Sequence, residues 1–152
     1  MKKILVLGCT GSIGTNTLEI ARNMKDEFTV CGLVAHTSRE KITRLAQEFK
    51  CPGALTSEES GCIRRLINET HPDIAVNGIA GSDGLLPSVD VLSAGVDLAL
   101  ANKETVVMAW PLVKALADKN HASILPVDSE HSALFNLTER IGKNSISELI
   151  IT

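Results

Sequence analysis

Tyrosine is absent from this chain, and aromatic residues fill only 3% of its 152 positions. Aliphatic side chains must therefore build the core, as in a parallel sheet covered on both faces. Cysteine is sparse and scattered: Cys9, Cys31, Cys51 and Cys62 form no CxxC pair. That spacing argues against a disulfide framework and suits reduced thiols in a cytoplasmic protein. There is no basic excess either. The net charge is −3, with no basic stripe of the kind a nucleic-acid binder shows. No apolar run approaches the length of a membrane span. Met1-Lys2-Lys3 leads straight into an apolar segment, so no signal or transit peptide and no membrane association are expected. What remains is a chain with 44% hydrophobic content, enough to bury one domain well.

The stretch that organises the rest is Gly8-Cys9-Thr10-Gly11-Ser12-Ile13-Gly14. It follows the buried-strand run Ile4-Leu5-Val6-Leu7 and precedes a helical pattern from Thr17 to Arg22. Strand, glycine turn and helix in that order are the context in which such a loop binds a dinucleotide. Glycines let the backbone approach a pyrophosphate, and the helix N-terminus offers free N–H groups and partial positive charge. The spacing is GxxGxxG rather than GxGxxG, and a ligand-free βα turn is the plain alternative.

Downstream, strand-like and helical segments alternate about six times. Strands are predicted at 28–35, 54–56, 74–77, 96–100 and 123–126. Helices are predicted over 39–49, through Cys62 to Ile67, over 85–94, from Asn102 with a break or restart at Pro111, and over 132–140. Thr37 with Glu40 fits a capping box, and Ser57 is placed to cap the next helix. This alternation specifies an α/β fold: a Rossmann-type, doubly wound, mainly parallel sheet with helices on both faces. Ligands then bind outside the carboxyl ends of the strands. Ser145 to Thr152 reads as a strand just beginning. We therefore expect 1–145 to form a nucleotide-binding domain and 146–152 to lead into a further, catalytic domain.

Three polar loops fall on that predicted edge. After the second strand, Ala35-His36-Thr37-Ser38-Arg39 places no carboxylate where an NAD site has one. A 2′-phosphate would meet the Ser38 hydroxyl, an imidazole and a guanidinium, which favours NADP, although Thr37 could simply cap a helix and Arg39 face water. After the fifth strand, Lys103 within Asn102-Lys103-Glu104 could neutralise a phosphate or polarise a carbonyl, or merely start an exposed helix. After the sixth, Asp128-Ser129-Glu130 offers two carboxylates and a hydroxyl, a donor set for Mg²⁺ or Mn²⁺. The alternative there is a helix start, capped by Asp128 or Ser129 with Glu130 on the dipole.

Taken together and in order, these motifs resemble one family. Gly8-Cys9-Thr10-Gly11-Ser12-Ile13-Gly14, Gly81-Ser82-Asp83-Gly84-Leu85-Leu86-Pro87, Leu100-Ala101-Asn102-Lys103-Glu104, and Leu125 to Phe135 with its Pro126-Val127-Asp128-Ser129-Glu130-His131 core are similar to 1-deoxy-D-xylulose 5-phosphate reductoisomerase. The resemblance implies conversion of that phosphorylated sugar to 2-C-methyl-D-erythritol 4-phosphate, in the non-mevalonate route to isoprenoids. It implies NADPH and Mg²⁺ or Mn²⁺ as cofactors and a homodimer in the full-length protein. It places Thr10, Gly11, Ser12, Ile13, Asn102 and Glu104 at NADPH. Lys103 touches substrate, Asp128 and Glu130 bind metal, and Ser129 and Glu130 also stand near substrate. The third carboxylate ligand and the substrate-phosphate grip would lie outside this chain, which alone would be inactive. The turn His36-Thr37-Ser38 departs from the glycine or small polar pair usual there. Another NADP-dependent oxidoreductase, such as a semialdehyde or homoserine dehydrogenase, is the alternative. A nucleotide-binding module without catalysis is a third. Those dehydrogenases have no need of Asp128-Ser129-Glu130.

Overall fold

Ile4-Leu5-Val6-Leu7 are all buried, and they end the first strand, β1 (Lys2–Leu7). Because strand side chains alternate, successive residues enter opposite layers. Leu5 and Leu7 join one apolar cluster, whereas Ile4 and Val6 join the other. A strand apolar on both sides needs helices on both sides, and the chain supplies them. The computed structural model describes residues 1–142, 145–148 and 150.

On one face lie α1 (Ser12–Asn23) and α2 (Arg39–Phe49), contributing Leu18, Ala21, Ile42 and Leu45 to the core. On the other lie α3 (Cys62–Thr70), α4 (Leu85–Ser93) and α5 (Lys103–Lys119), contributing Leu66, Val91, Leu92 and Val113. Between them run β2 (Phe28–Ala35), β3 (Gly53–Leu55), β4 (Ile74–Asn77), β5 (Asp97–Leu100) and β6 (Ile124–Pro126). A last helix, α6 (Ser129–Ile141), buries none of its residues. Full burial of a leucine such as Leu5, Leu33 or Leu98 stabilises the fold by roughly 1.5–3 kcal/mol.

The sheet order is β3-β2-β1-β4-β5-β6, and all five pairings are parallel. This is the doubly wound sheet expected. β1 pairs with β2 on one side and β4 on the other, so the strand order reverses at β1 and opens a crevice at its carboxyl end. The backbone ladder runs on past the strands there, with Gly78 N donating to Leu7 O and Ala101 N to Asn77 O.

Local expectations fare unevenly. β2 matches its predicted span, and α5 has a non-helical break at Ala109, two residues before Pro111. The capping box of Thr37 with Glu40 does not form. The helix begins at Arg39, with Ser38 at the N-cap and no side-chain cap bond. Nor does Ser57 cap α3. Its hydroxyl donates to His36 O at 2.6 Å, and Gly61 in the left-handed region precedes the helix. α6 starts at Ser129 rather than Ser132. Of the strand expected over 146–152, residues 149, 151 and 152 lie outside the described residues. Ile146, Ser147, Glu148 and Ile150 carry no strand.

The tightest approach in the fold is that of α1 to β1. A Cβ on Gly14 would stand 2.3 Å from Gly8 O and 2.6 Å from Cys9 Cα, both backbone atoms. Gly14→Ala should therefore destabilise the protein by about 2 kcal/mol or more, read as a lowered urea midpoint at unchanged slope. A variant as stable as the parent would mean that α1 does not pack this closely.

Candidate functional site

The crevice at the carboxyl end of β1 is lined first by the glycine loop. Gly8 has φ +76 and its N–H donates to Val34 O, as does that of Cys9. The turn closes through Gly11 N to Gly8 O at 3.0 Å. The glycines then have separate reasons. At Gly8 and Gly14 the protein leaves no room for a Cβ, but at Gly11 the nearest atom to a Cβ, Gly8 O, is 3.4 Å away, an ordinary contact. Gly11 is extended (φ −84, ψ 178) and caps α1 with no side-chain hydrogen bond. No acidic residue sits in the first turn of α1. The partial positive charge of the first N–H groups of α1 is thus not offset by an acidic side chain, an arrangement that suits an anion. Thr10, Ser12 and Ile13 sit around it, partly or fully exposed.

Cys9 lies in this loop but points into the core, fully buried, and burial pushes its thiol up to about 11. It is no nucleophile at neutral pH.

The second wall is the segment 78–84, which ends in a 3₁₀ turn at Gly81–Gly84. Its backbone touches the glycine loop: a Cβ on Gly78 would meet Ile13 Cβ at 3.0 Å. Two buried asparagines hold it. Asn77, at the end of β4, donates to Gly84 O and Ser88 Oγ, both at 2.8 Å, and accepts from Ile79 N at 3.1 Å. Asn102 donates to Ile79 O at 2.7 Å and Gly81 O at 2.8 Å. It also caps α5, accepting from Thr105 N at 2.8 Å and Thr105 Oγ1 at 2.6 Å. Both hydrogens of its amide and both lone pairs are thereby used.

The third wall carries the charge. Lys103 and Glu104 occupy the first turn of α5, with Lys103 exposed. After β6, Asp128 caps α6 through a long contact from His131 N at 3.4 Å, and Ser129 Oγ donates to Glu130 Oε2 at 2.7 Å. The His131 N–H is the main reason the Asp128 carboxyl lies below its ordinary value. The charges of His131 and Lys103 act the same way, against opposing desolvation. Asp128 therefore takes the helix-start role expected at Asp128-Ser129-Glu130. Asp128 caps the helix, and its carboxyl feels the charge of Lys103. An all-oxygen pair of this kind fits a hard divalent cation. Among the described residues, no group of three metal-ligating side chains stands together.

The sequence model of 1-deoxy-D-xylulose 5-phosphate reductoisomerase matches residues 4–63 and 53–110. The chain belongs to the 1-deoxy-D-xylulose 5-phosphate reductoisomerase family. The reductoisomerase of Treponema denticola is 42% identical, aligned over 99% of this chain and 42% of its own length. A solved reductoisomerase in complex with NADPH, fosmidomycin and magnesium superposes with a TM-score of 0.81 at 29% identity, over 90% of this chain and 38% of that one. The Zymomonas mobilis reductoisomerase in complex with NADPH gives 0.76 at 25% identity, over 89% and 41%. The chain thus spans well under half the length of the reductoisomerases it matches.

Against this family frame, the structure gathers Thr10, Gly11, Ser12, Ile13, Lys103, Glu104, Asp128, Ser129 and Glu130 along one sheet edge, on the loops after β1, β5 and β6. Asn102 is at that edge too, but its side chain is committed to the protein itself. Ser38 is at the same edge, at the N-cap of α2 after β2, the strand next to β1. Beside it, the guanidinium of Arg39 is paired with Glu58, and His36 Nδ1 lies 2.9 Å from Thr56 Oγ1. Asn77, Ser88 and Thr105 escaped the reading of the sequence. The available signal was a polar residue closing the aliphatic run Ile74-Ala75-Val76, just before a glycine.

The Cys9 geometry is directly testable. Iodoacetamide at pH 8 should leave Cys9 unmodified in the native protein and alkylate it once urea unfolds the chain, as read by peptide mass. Rapid native labelling would place the thiol in the crevice instead.

Proposed function

We propose that this chain is the NADPH-binding part of a 1-deoxy-D-xylulose 5-phosphate reductoisomerase. The observation that carries the reading is the crevice at β1. An uncapped helix N-terminus and the open position at Gly11 face the same sheet edge as Lys103 and the Asp128–Glu130 pair. A pyrophosphate fits where a Cβ on Gly11 would lie, bound by the N–H groups of Ser12 and Ile13 with Thr10 beside it. The 2′-phosphate goes to the turn at Ser38, where β2 ends without a carboxylate; Glu40 stands in the first turn of α2 and Glu58 is paired with Arg39. Asp128 and Glu130 would hold Mg²⁺ or Mn²⁺. Relatives crystallised with NADPH and magnesium support both assignments.

When bound, NADPH supplies hydride and the cation polarises the oxygens of the sugar phosphate. The chain's own residues bind and orient. Lys103 offers its ammonium to the anionic substrate. Ser129 and Glu130 face it from the first turn of α6, and Glu104 closes the nucleotide side. Proximity is the contribution of the fold, because these groups sit on neighbouring loops of one parallel sheet. The product would be 2-C-methyl-D-erythritol 4-phosphate, made in the cytoplasm by a homodimer of the longer protein. No helix among the described residues is long and apolar enough to cross a membrane. The 152 residues alone should not turn substrate over, since they carry two carboxylates for the cation and under half the length of their relatives.

Calorimetric titration of the chain with NADPH and NADH tests the cofactor. NADPH should bind more tightly, and equal affinity would remove the role of the Ser38 turn. Gly11→Val should raise the NADPH Kd at least about tenfold, a cost of about 1.4 kcal/mol, with the circular dichroism spectrum and melting point retained. Unchanged affinity would reduce the glycine loop to a turn. In the longer protein, Asp128→Asn should keep NADPH binding but lose nearly all Mg²⁺-dependent NADPH oxidation, since a neutral amide is a poor ligand for a hard cation. Near-normal turnover would leave Asp128 as a helix cap alone.

A further inference from the structure

Ile79 is gripped from both sides by buried amides. Its N–H donates to Asn77 Oδ1 at 3.1 Å, and its carbonyl accepts from Asn102 Nδ2 at 2.7 Å. The same residue abuts the glycine loop: a Cβ on Gly8 would lie 3.1 Å from Ile79 N and 3.0 Å from Gly78 O. At its other end, Asn102 directly precedes Lys103 and fixes the first turn of α5 through Thr105. Gly84 closes the loop between them. It presses its Cα face on the Asn102 amide, where a Cβ would come within 2.6 Å, while its carbonyl accepts from Asn77 and from Ser88 Oγ. Every polar atom in this network is paired, and its four side chains are 0–3% exposed.

We infer that Asn77 and Asn102, with Ser88 and Thr105, are positioning residues that lock the 78–84 segment between the glycine loop and the N-terminus of α5, so that the pyrophosphate cradle and Lys103 are held in one fixed relation. The inference rests on the nucleotide-binding reading for its consequence but not for its geometry. A buried polar network that is fully satisfied specifies one arrangement, and a partly satisfied one does not. Four aliphatic side chains in these places would bury as much apolar surface, yet they could not dictate the path of a glycine-rich backbone with few side chains of its own. Asn77 separates positioning from direct contact. It is 0% exposed, so it reaches no ligand, and any effect it has on affinity must pass through the loop.

The test uses Asn77→Leu and Ser88→Ala in the 152-residue chain, with Ile67→Val in α3 as a core control remote from the crevice. Backbone hydrogen exchange reads the lock directly. Exchange of the Ile79 amide should accelerate at least about tenfold in Asn77→Leu, while amides of β1 and β2 keep their protection and the control leaves Ile79 unchanged. NADPH titration reads the consequence. Asn77→Leu should weaken binding about tenfold or more, and Ile67→Val, chosen to lower the melting temperature comparably, should not. If Asn77→Leu does not fold, Ser88→Ala carries the same two readouts. Unchanged exchange at Ile79 overturns the lock. Accelerated exchange with unchanged NADPH affinity overturns its positioning role. Absence of NADPH binding by the parent chain would refute the functional proposal and with it the positioning role, while the exchange measurement still decides whether the lock exists.

Discussion

Three segments meet at the carboxyl end of β1, with the side chain of Ile13 between Gly78 and α1. Gly8 faces Gly78, Gly78 faces the start of α1, and Gly14 sits against the Gly8 carbonyl, each within a distance that a single Cβ would violate. This triple approach sets the rest of the site. It brings the N-terminus of α1 directly over the point where strand order reverses, and it lets the β4 loop reach across that point. Were any of the three segments displaced by the width of a methyl group, the crevice would close or the helix would tilt away from the sheet. The constraint is steric before it is chemical. Gly8 and Gly14 are required by the protein, whereas Gly11 has room for a Cβ.

Around that steric point the polar groups divide into two kinds. Asn77, Ser88, Asn102 and Thr105 are buried and saturated, and they define backbone paths. Lys103, Ser129 and Glu130 are exposed and face the edge with capacity to spare. The same tetrapeptide, Ala101-Asn102-Lys103-Glu104, supplies both kinds at adjacent positions. A buried residue that fixes geometry and an exposed cation are thus one peptide bond apart.

How much of this was legible beforehand follows the range of the interactions concerned. The parallel sheet, its two helical layers and the span of β2 were readable, because burial on both faces writes itself into local runs such as Ile4 to Leu7 and Phe28 to Ala35. The glycine loop was readable because a turn of that kind demands residue types, not partners. The role of Asn102 was not. Its hydrogen bonds go to carbonyls 21 and 23 residues earlier in the chain, and no local pattern encodes them. Ser57 misled for the same reason, since its hydroxyl reaches back 21 residues to His36 instead of starting α3. Thr37 and Glu40 had the spacing of a capping box, but Arg39 N bonds to Thr37 O in a tight turn that starts the helix one residue later.

The two sides of the site also differ in how the chain supports them. The glycine-loop side stands on β1 and β4, whose residues at the crevice are buried in both apolar layers. The carboxylate side stands on β6, a half-buried edge strand, and on α6, which buries nothing and leaves Phe135, Leu137 and Ile141 exposed. Local stability follows buried apolar contact, so opening of α6 costs less than opening of the β1 crevice. Precise ligand geometry needs side chains whose surroundings fix them. The glycine loop meets that condition within this chain. Asp128 is held mainly by a long cap bond and Glu130 by the hydroxyl of Ser129, so the two carboxylates are less firmly fixed than the glycine loop.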